Sequence, residues 1–192
     1  MNVKPGYIER LRTVVEAASP RLRALGDASA TKPASGGWSP REIIGHLVDS
    51  ASTNHQRFVR ARFQDNLVFP GYEQDIWVQA GAYQDAPWND LVELWRTFNL
   101  QIARVMVATP DDLRLRERLE HNFDRIGFEA IPQDRPATLD HLMRDYVAHL
   151  EHHLQQIWRA QNEELRTEQS TSNAERCQSF SMLSVRRCLS RS

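Results

Sequence analysis

Four stretches of the chain carry apolar residues at helical spacing. The first, residues 5–25, puts Ile8, Leu11, Val14, Val15, Leu22 and Leu25 on one face, the i, i+3, i+4 pattern of a helix with one buried side. A bend is expected at Pro20, which has no amide N–H to donate, and Gly26 ends the pattern before a small-residue loop over 28–37. The second stretch opens at Ser39-Pro40-Arg41-Glu42 and runs to about residue 63. Ser39 suits the N-cap and Pro40 the first helical position, and the Glu42 carboxylate can reach back to the cap's free N–H. The third stretch covers 87–108 and stops before Pro110; the fourth covers 139–161 behind Thr138 as its cap. An aromatic loop, 69–77, lies between the second and third and is expected to close in one short helix. A polar crossover with Gly127, Pro132 and Pro136 lies between the third and fourth. No segment alternates with period two over β-branched residues, so the chain reads as all-α, a four-helix bundle with long connections. Residues 1–161 form the predicted domain. The Ser/Thr/Arg/Gln-rich tail, 162–192, lacks periodicity and is expected to stay disordered, with Phe180, Met182, Leu183 and Val185 able at most to form a short docking turn.

Composition narrows the function classes. The chain has 192 residues, 41% of them hydrophobic and five of them tryptophan, enough for one ordinary core. With 24 basic against 25 acidic side chains there is no cationic excess for a phosphate backbone, so no nucleic-acid partner is expected. No apolar run approaches the ~18 residues of a membrane helix, and residues 1–6 lack an apolar leader. Both cysteines, Cys177 and Cys188, lie in the tail, so neither a disulfide framework nor a cysteine nucleophile is available to a core. A reducing, cytoplasmic compartment follows as the expectation. The chain has no G-x-S-x-G and no phosphate-loop lysine, and Gly36-Gly37 reads as a hinge.

The chemistry-bearing residues are histidines, seven in all. At about 100° per residue, Leu139, Leu142, Met143, Tyr146, Val147, Leu150, Leu154, Ile157 and Trp158 define the apolar arc of the fourth helix. His149 and His153 share one edge of that arc, one turn apart, whereas His141 and His152 point toward the polar face. An i, i+4 histidine pair can hold one divalent ion between two imidazoles. In the second helix, His46 lies outside the arc of Ile43, Ile44, Leu47, Val48, Ala51, Phe58 and Val59, at a border shared with Ser50, Thr53 and Arg57. If the two helices were neighbours, His46 would complete a three-histidine set with open positions, the ligand count of a catalytic metal site. His55, on the apolar side, and His121, in the crossover, are weaker candidates. Spacing alone favours a solvated or otherwise satisfied histidine at each position and leaves a metal site only as an open alternative.

Two motifs change that balance. Trp38-Ser39-Pro40-Arg41-Glu42-Ile43-Ile44-Gly45-His46-Leu47-Val48-Asp49 resembles the W-S-x-x-E-I-x-x-H-L-x-D signature of the DinB-like superfamily, and His149 to Ile157 resembles its H-x-x-x-H-x-x-Q-I close. The segment 71–77 is similar to a motif of one branch. The likeness covers residues 7–160. It implies a four-helix bundle of DinB/YfiT type with a long crossover and a divalent metal held by three histidines, which map onto His46, His149 and His153. Members of known chemistry include bacillithiol transferases and mycothiol-dependent maleylpyruvate isomerase. The resemblance therefore implies a Zn, Ni or Fe ion, a small thiol co-substrate, an electrophilic small-molecule substrate and a homodimer. The alternatives are a non-catalytic metal- or ligand-binding stress module and a metal-dependent hydrolase, for which Asp49 and Glu42 are weak general-base candidates.

Ligand imidazoles need acceptors that fix their tautomers. Asp49, one turn from His46, and Asp145, one turn before His149, are expected in that role, with solvation or pairing to Arg57 as the alternative for Asp49. No catalytic residue is assigned. Tyr72, Asp75 and Trp77 are expected either at the mouth of the site or packed over a bundle end, and Trp38 is expected in the core.

Overall fold

The computed structural model describes residues 5–31 and 37–189; for residues 164, 168 and 170–189 it describes the backbone alone. Residues 1–4, most of the loop expected over 28–37 including Gly36, and the side chains of Cys177, Phe180, Met182, Leu183, Val185 and Cys188 lie outside the described residues. Among the described residues seven α-helices follow in order: α1 (Gly6–Ala30), α2 (Pro40–Arg60), α3 (Gln74–Ala80), α4 (Trp88–Ala108), α5 (Asp111–Leu115), α6 (Phe123–Ile126) and α7 (Leu139–Leu189). A 3-10 turn, Tyr83–Asp85, stands before α4. Among the described residues strand-like pairing is limited to two isolated bridges, Leu67 with His121 and Arg118 with Ala137. The fold is all-α, built on the four long helices α1, α2, α4 and α7. No helix among the described residues is long and apolar enough to cross a membrane.

The predicted start and stop signals sit where local chemistry puts them. Ser39 caps α2 in a reciprocal box: its hydroxyl accepts the Glu42 amide (3.3 Å), and the Glu42 carboxylate accepts the Ser39 amide (2.7 Å). Thr138 accepts the His141 amide at 3.1 Å to open α7. In α1 the break falls at Gly26 (φ 69, ψ 168), a backbone conformation that a side chain disfavours, while Pro20 stays within helical geometry. The apolar faces go where they were expected: Ile8, Leu11, Val15 and Leu22 of α1 and Leu139 through Leu154 of the α7 arc are buried.

Two units divide the chain, Met1–Gln155 and Gln156–Ser192. The first contains α1 to α6 and the opening turns of α7. In the second, the backbone is helical to Leu189, whereas the sequence reading ended the fourth helix at 161 and expected a disordered tail. Residues 162–189 contain neither Pro nor Gly, so no strong local breaker terminates the helix. A shortage of apolar residues limits burial, not helicity.

Within the first unit α4 packs on both α1 and α2. Trp88 Nε1–H donates to the Leu22 carbonyl (2.8 Å), and the Tyr146 hydroxyl of α7 donates to Asn99 Oδ1 of α4 (2.5 Å). Phe58 of α2 meets Tyr146 edge-on, with ring centroids 5.9 Å apart. Burying large rings such as Phe58 and Trp95 stabilises the bundle by roughly 1.5–3 kcal/mol each. These contacts place the second and fourth long helices side by side, the adjacency that spacing could not supply. The two connections also meet each other. Leu67 donates to the Glu120 carbonyl (2.8 Å), and Asn122 exchanges two hydrogen bonds with the Phe69 backbone (3.1 and 2.8 Å).

Candidate metal centre

His46 projects from the second turn of α2, and His149 and His153 from consecutive turns of α7. Their ring centroids are 4.8 Å (His46–His153), 5.2 Å (His46–His149) and 4.5 Å (His149–His153) apart, and one nitrogen from each lies within 4.8 Å of the others. His46 Nε2 faces His149 Nε2 at 3.2 Å. Nitrogens held tetrahedrally about 2.0–2.1 Å from a zinc ion stand roughly 3.3–3.4 Å apart, so this pair already has the spacing of two ligands. His46 is only 1% exposed, and burial and the His153 charge push its pKa down to about 4. Burial and the three neighbouring histidines hold His149 down to about 2. Both rings are therefore neutral at pH 7, with lone pairs available, which is the state a metal requires. The residues present fit a divalent transition ion.

The sequence placed His46 at a polar border of its helix, and the structure buries it. The reason is that α2 is covered on two faces. The apolar arc meets the core, while a second stripe of His46, Ser50, Asn54 and Arg57 is also buried, against the two connections. Trp38, expected in the core, is instead half-buried against the histidines, 5.0 Å from the His46 ring and 6.4 Å from that of His153. His121 is structural: it pairs through Nε2 with the Arg135 carbonyl (2.7 Å) and accepts the Phe123 amide at Nδ1 (3.2 Å). His55 packs 5.9 Å from Phe98, and the exposed His152 packs 5.2 Å from Phe128.

Neither aspartate makes the contact expected of it. Asp49 Oδ1 accepts the Tyr83 hydroxyl at 2.6 Å, while Asp49 Oδ2 and His46 Nδ1 are both buried without a hydrogen-bond partner. Burial raises the Asp49 carboxyl above its ordinary range, and the Tyr83 bond partly offsets this. Tyr83 comes this close because Gly45 has no side chain; a Cβ there would stand 2.1 Å from the Tyr83 ring. Asp145 accepts the backbone amides of Phe128 (2.9 Å) and Glu129 (2.7 Å), so it fastens the crossover beside His149 rather than orienting the imidazole. Burial lifts its pKa, opposed by those two amides.

His46 and His149 open onto a cleft of about 890 Å³. Its walls come from the buried polar stripe of α2, from Tyr72 and Trp77 on the first connection, from Arg125 and Phe128 on the second, and from Asp145 and Tyr146 of α7. Tyr72 lies 6.3 Å from His46 and 4.8 Å from Trp77, and burial raises its hydroxyl to about 12, so it is a neutral donor. Tyr72 and Trp77 thus stand at the site, whereas Asp75 is exposed and outside the lining. Sequence reasoning missed Asn54, Asn122, Arg125 and Phe128, and it weighed Arg57 only as a possible partner of Asp49. For Asn54 and Arg57 the signal was the i, i+4, i+8, i+11 run of polar residues beginning at His46; Asn122, Arg125 and Phe128 had none.

Comparison with known proteins agrees with this architecture. YfiT from Bacillus subtilis, described as a probable metal-dependent hydrolase with an unusual four-helix bundle topology, is similar in structure: TM-score 0.64 and 18% identity, over 85% of this chain and 90% of that one. No curated protein sequence matches the chain. The DinB superfamily model matches residues 10–157, an interval that contains all three converging histidines, and the chain belongs to the DinB superfamily.

Proposed function

We propose that His46, His149 and His153 hold a divalent transition metal, Zn, Ni or Fe, and that the protein is an enzyme in which this centre activates a small thiol for transfer to an electrophilic substrate. The observation that carries the reading is the convergence of three imidazoles, the two most buried of them neutral and lining a cleft large enough for a small molecule. A three-nitrogen site leaves positions open, and metal coordination favours a thiolate at neutral pH. The chain supplies the rest. Tyr72 is a neutral donor close to His46, Trp38 shields the centre, and Trp77 and Phe128 offer apolar surface to a substrate.

Metal-assisted hydrolysis is the second reading, favoured by the structural likeness to YfiT. It asks for a carboxylate free to take a proton from water. Asp145 on the cleft wall is engaged by two backbone amides, and Asp49, which does not line the cleft, bonds Tyr83. Coordination acidifies a bound water as well, but it deprotonates a bound thiol outright, so thiol transfer depends less on such a base.

Elemental analysis of tag-free protein beside His149→Ala tests the centre. About one transition ion per chain, lost in the variant, is expected; equal content in both would remove the metal from His149. Turnover of a panel of electrophiles and esters, with and without added thiol, then separates the two chemistries. Products that incorporate the thiol support transfer, and thiol-independent hydrolysis supports the alternative.

A further inference from the structure

Arg57 is the unexplained charge of the cleft. It sits three helical turns along α2 from His46, on the same buried stripe, and is only 5% exposed. Among the described residues it forms no ion pair. Its guanidinium donates to two neutral acceptors, the Asn54 side-chain oxygen (3.4 Å) and the Pro70 carbonyl (3.0 Å), and its Nε has no partner. Other buried arginines of the chain are differently placed: Arg41 and Arg114 pair with aspartates, and Arg118 does not line the cleft. A buried guanidinium without a carboxylate is costly, and such a group commonly meets its counter-charge in a ligand.

We infer that Arg57 seats a carboxylate of the substrate or co-substrate, with its reactive end directed along the cleft toward the histidines. The inference rests on the proposed small-molecule site but not on which reaction occurs there. The surroundings choose among anions. Asp145 and Tyr72 are the titratable groups that act on Arg57 electrostatically. Asp145 is already held by two amides and reduces the net positive field, so a singly charged, planar carboxylate suits the site better than a phosphate dianion. The planar fork of arginine matches the two oxygens of a carboxylate. Apolar Trp77 and Phe128 on the walls suit a hydrocarbon spacer between the carboxylate and the reacting atom.

The test uses the full chain and a series of butanoate, hexanoate and octanoate against their primary amides, with inorganic phosphate as a further probe, all by calorimetry. It is run on metal-loaded and on chelator-stripped protein, beside Arg57→Met. Wild type is expected to prefer acid over amide by about 10- to 100-fold in both states, the discrimination of a charge-assisted pair, and to bind phosphate more weakly. Arg57→Met should lose that preference and keep its metal content. A preference that vanishes on stripping yet survives Arg57→Met would assign the anion to the metal and overturn the inference. Equal binding of acids and amides, or tighter phosphate, would overturn it too. A chain that takes up no metal but still discriminates through Arg57 would defeat the proposed metal function alone. Should circular dichroism show Arg57→Met misfolded, Arg57→Lys keeps the charge and loses the fork: a preference cut several-fold supports the inference, and an unchanged one refutes it.

Discussion

Two buried polar clusters flank the same helix and differ in how their charges are met. At the start of α7, Asp140 accepts from Tyr7 (2.8 Å), Arg144 (2.6 Å) and Arg114, and Arg114 also reaches Asp111 (3.2 Å). Two and a half turns later, His149 faces His46 across a cleft in which Arg57 has no carboxylate and His46 Nδ1 has no partner. The first cluster closes on itself and joins α1, α5 and α7. The second lies along a cleft that His46, Arg57 and His149 line. A fold can carry one polar knot as structure and another as a site, and what distinguishes them here is whether the buried guanidinium has a carboxylate partner, since the Nε of Arg114 is as unpartnered as that of Arg57.

Breaking the closed cluster should have the largest effect. Asp140→Ala removes the acceptor shared by Tyr7, Arg114 and Arg144, leaving Arg114 with Asp111 alone, and is expected to cost about 3 kcal/mol, read as a lowered midpoint in urea, with metal content unchanged. A loss under about 1 kcal/mol would erase the contrast between the clusters. Acid should act on the open cluster next. His46 and His149 have folded pKa values pushed to about 4 and about 2, below an unfolded value near 6.5. The unfolded chain therefore binds more protons as pH falls through 6.5, and stability drops. For stripped protein the expected loss is about 3 kcal/mol between pH 7.5 and 5.5, and a flat profile there would show that the rings are solvated. His149→Ala should halve that slope and abolish metal uptake, while changing the stability of stripped protein at pH 7.5 by no more than about 1 kcal/mol. Smallest is the cap. Ser39→Ala should cost about 1 kcal/mol and leave metal content intact, since the box fixes the start of α2 and not the direction of His46.

The bundle was legible because its information is local. Period 3.6 patterns, the Ser39 box and the Thr138 cap each depend on residues a few positions apart. The His149–His153 pair was legible for the same reason. His46 was identified as a candidate but assigned to the wrong environment, since a helix wheel reads polarity as exposure and cannot see a second buried face. Arg125, Asn122 and Phe128 were illegible as site residues. They reach the cleft only because the two connections dock on each other through Leu67, Phe69 and Asn122, a pairing across some fifty sequence positions that no local pattern encodes. Asp145 misled for a related reason: its spacing from His149 suited the imidazole, but free backbone amides on the crossover were better partners.

That Asp145 grips amides rather than side chains has a consequence for how this cleft can change. Every residue but proline offers the same N–H, so the anchor is indifferent to what stands at positions 128 and 129. The wall facing His149 can exchange Phe128 for a smaller, larger or polar group while its backbone stays fastened one turn from the histidine. The range of molecules this wall admits is therefore free to drift, or to be redesigned, without disturbing the position of His149.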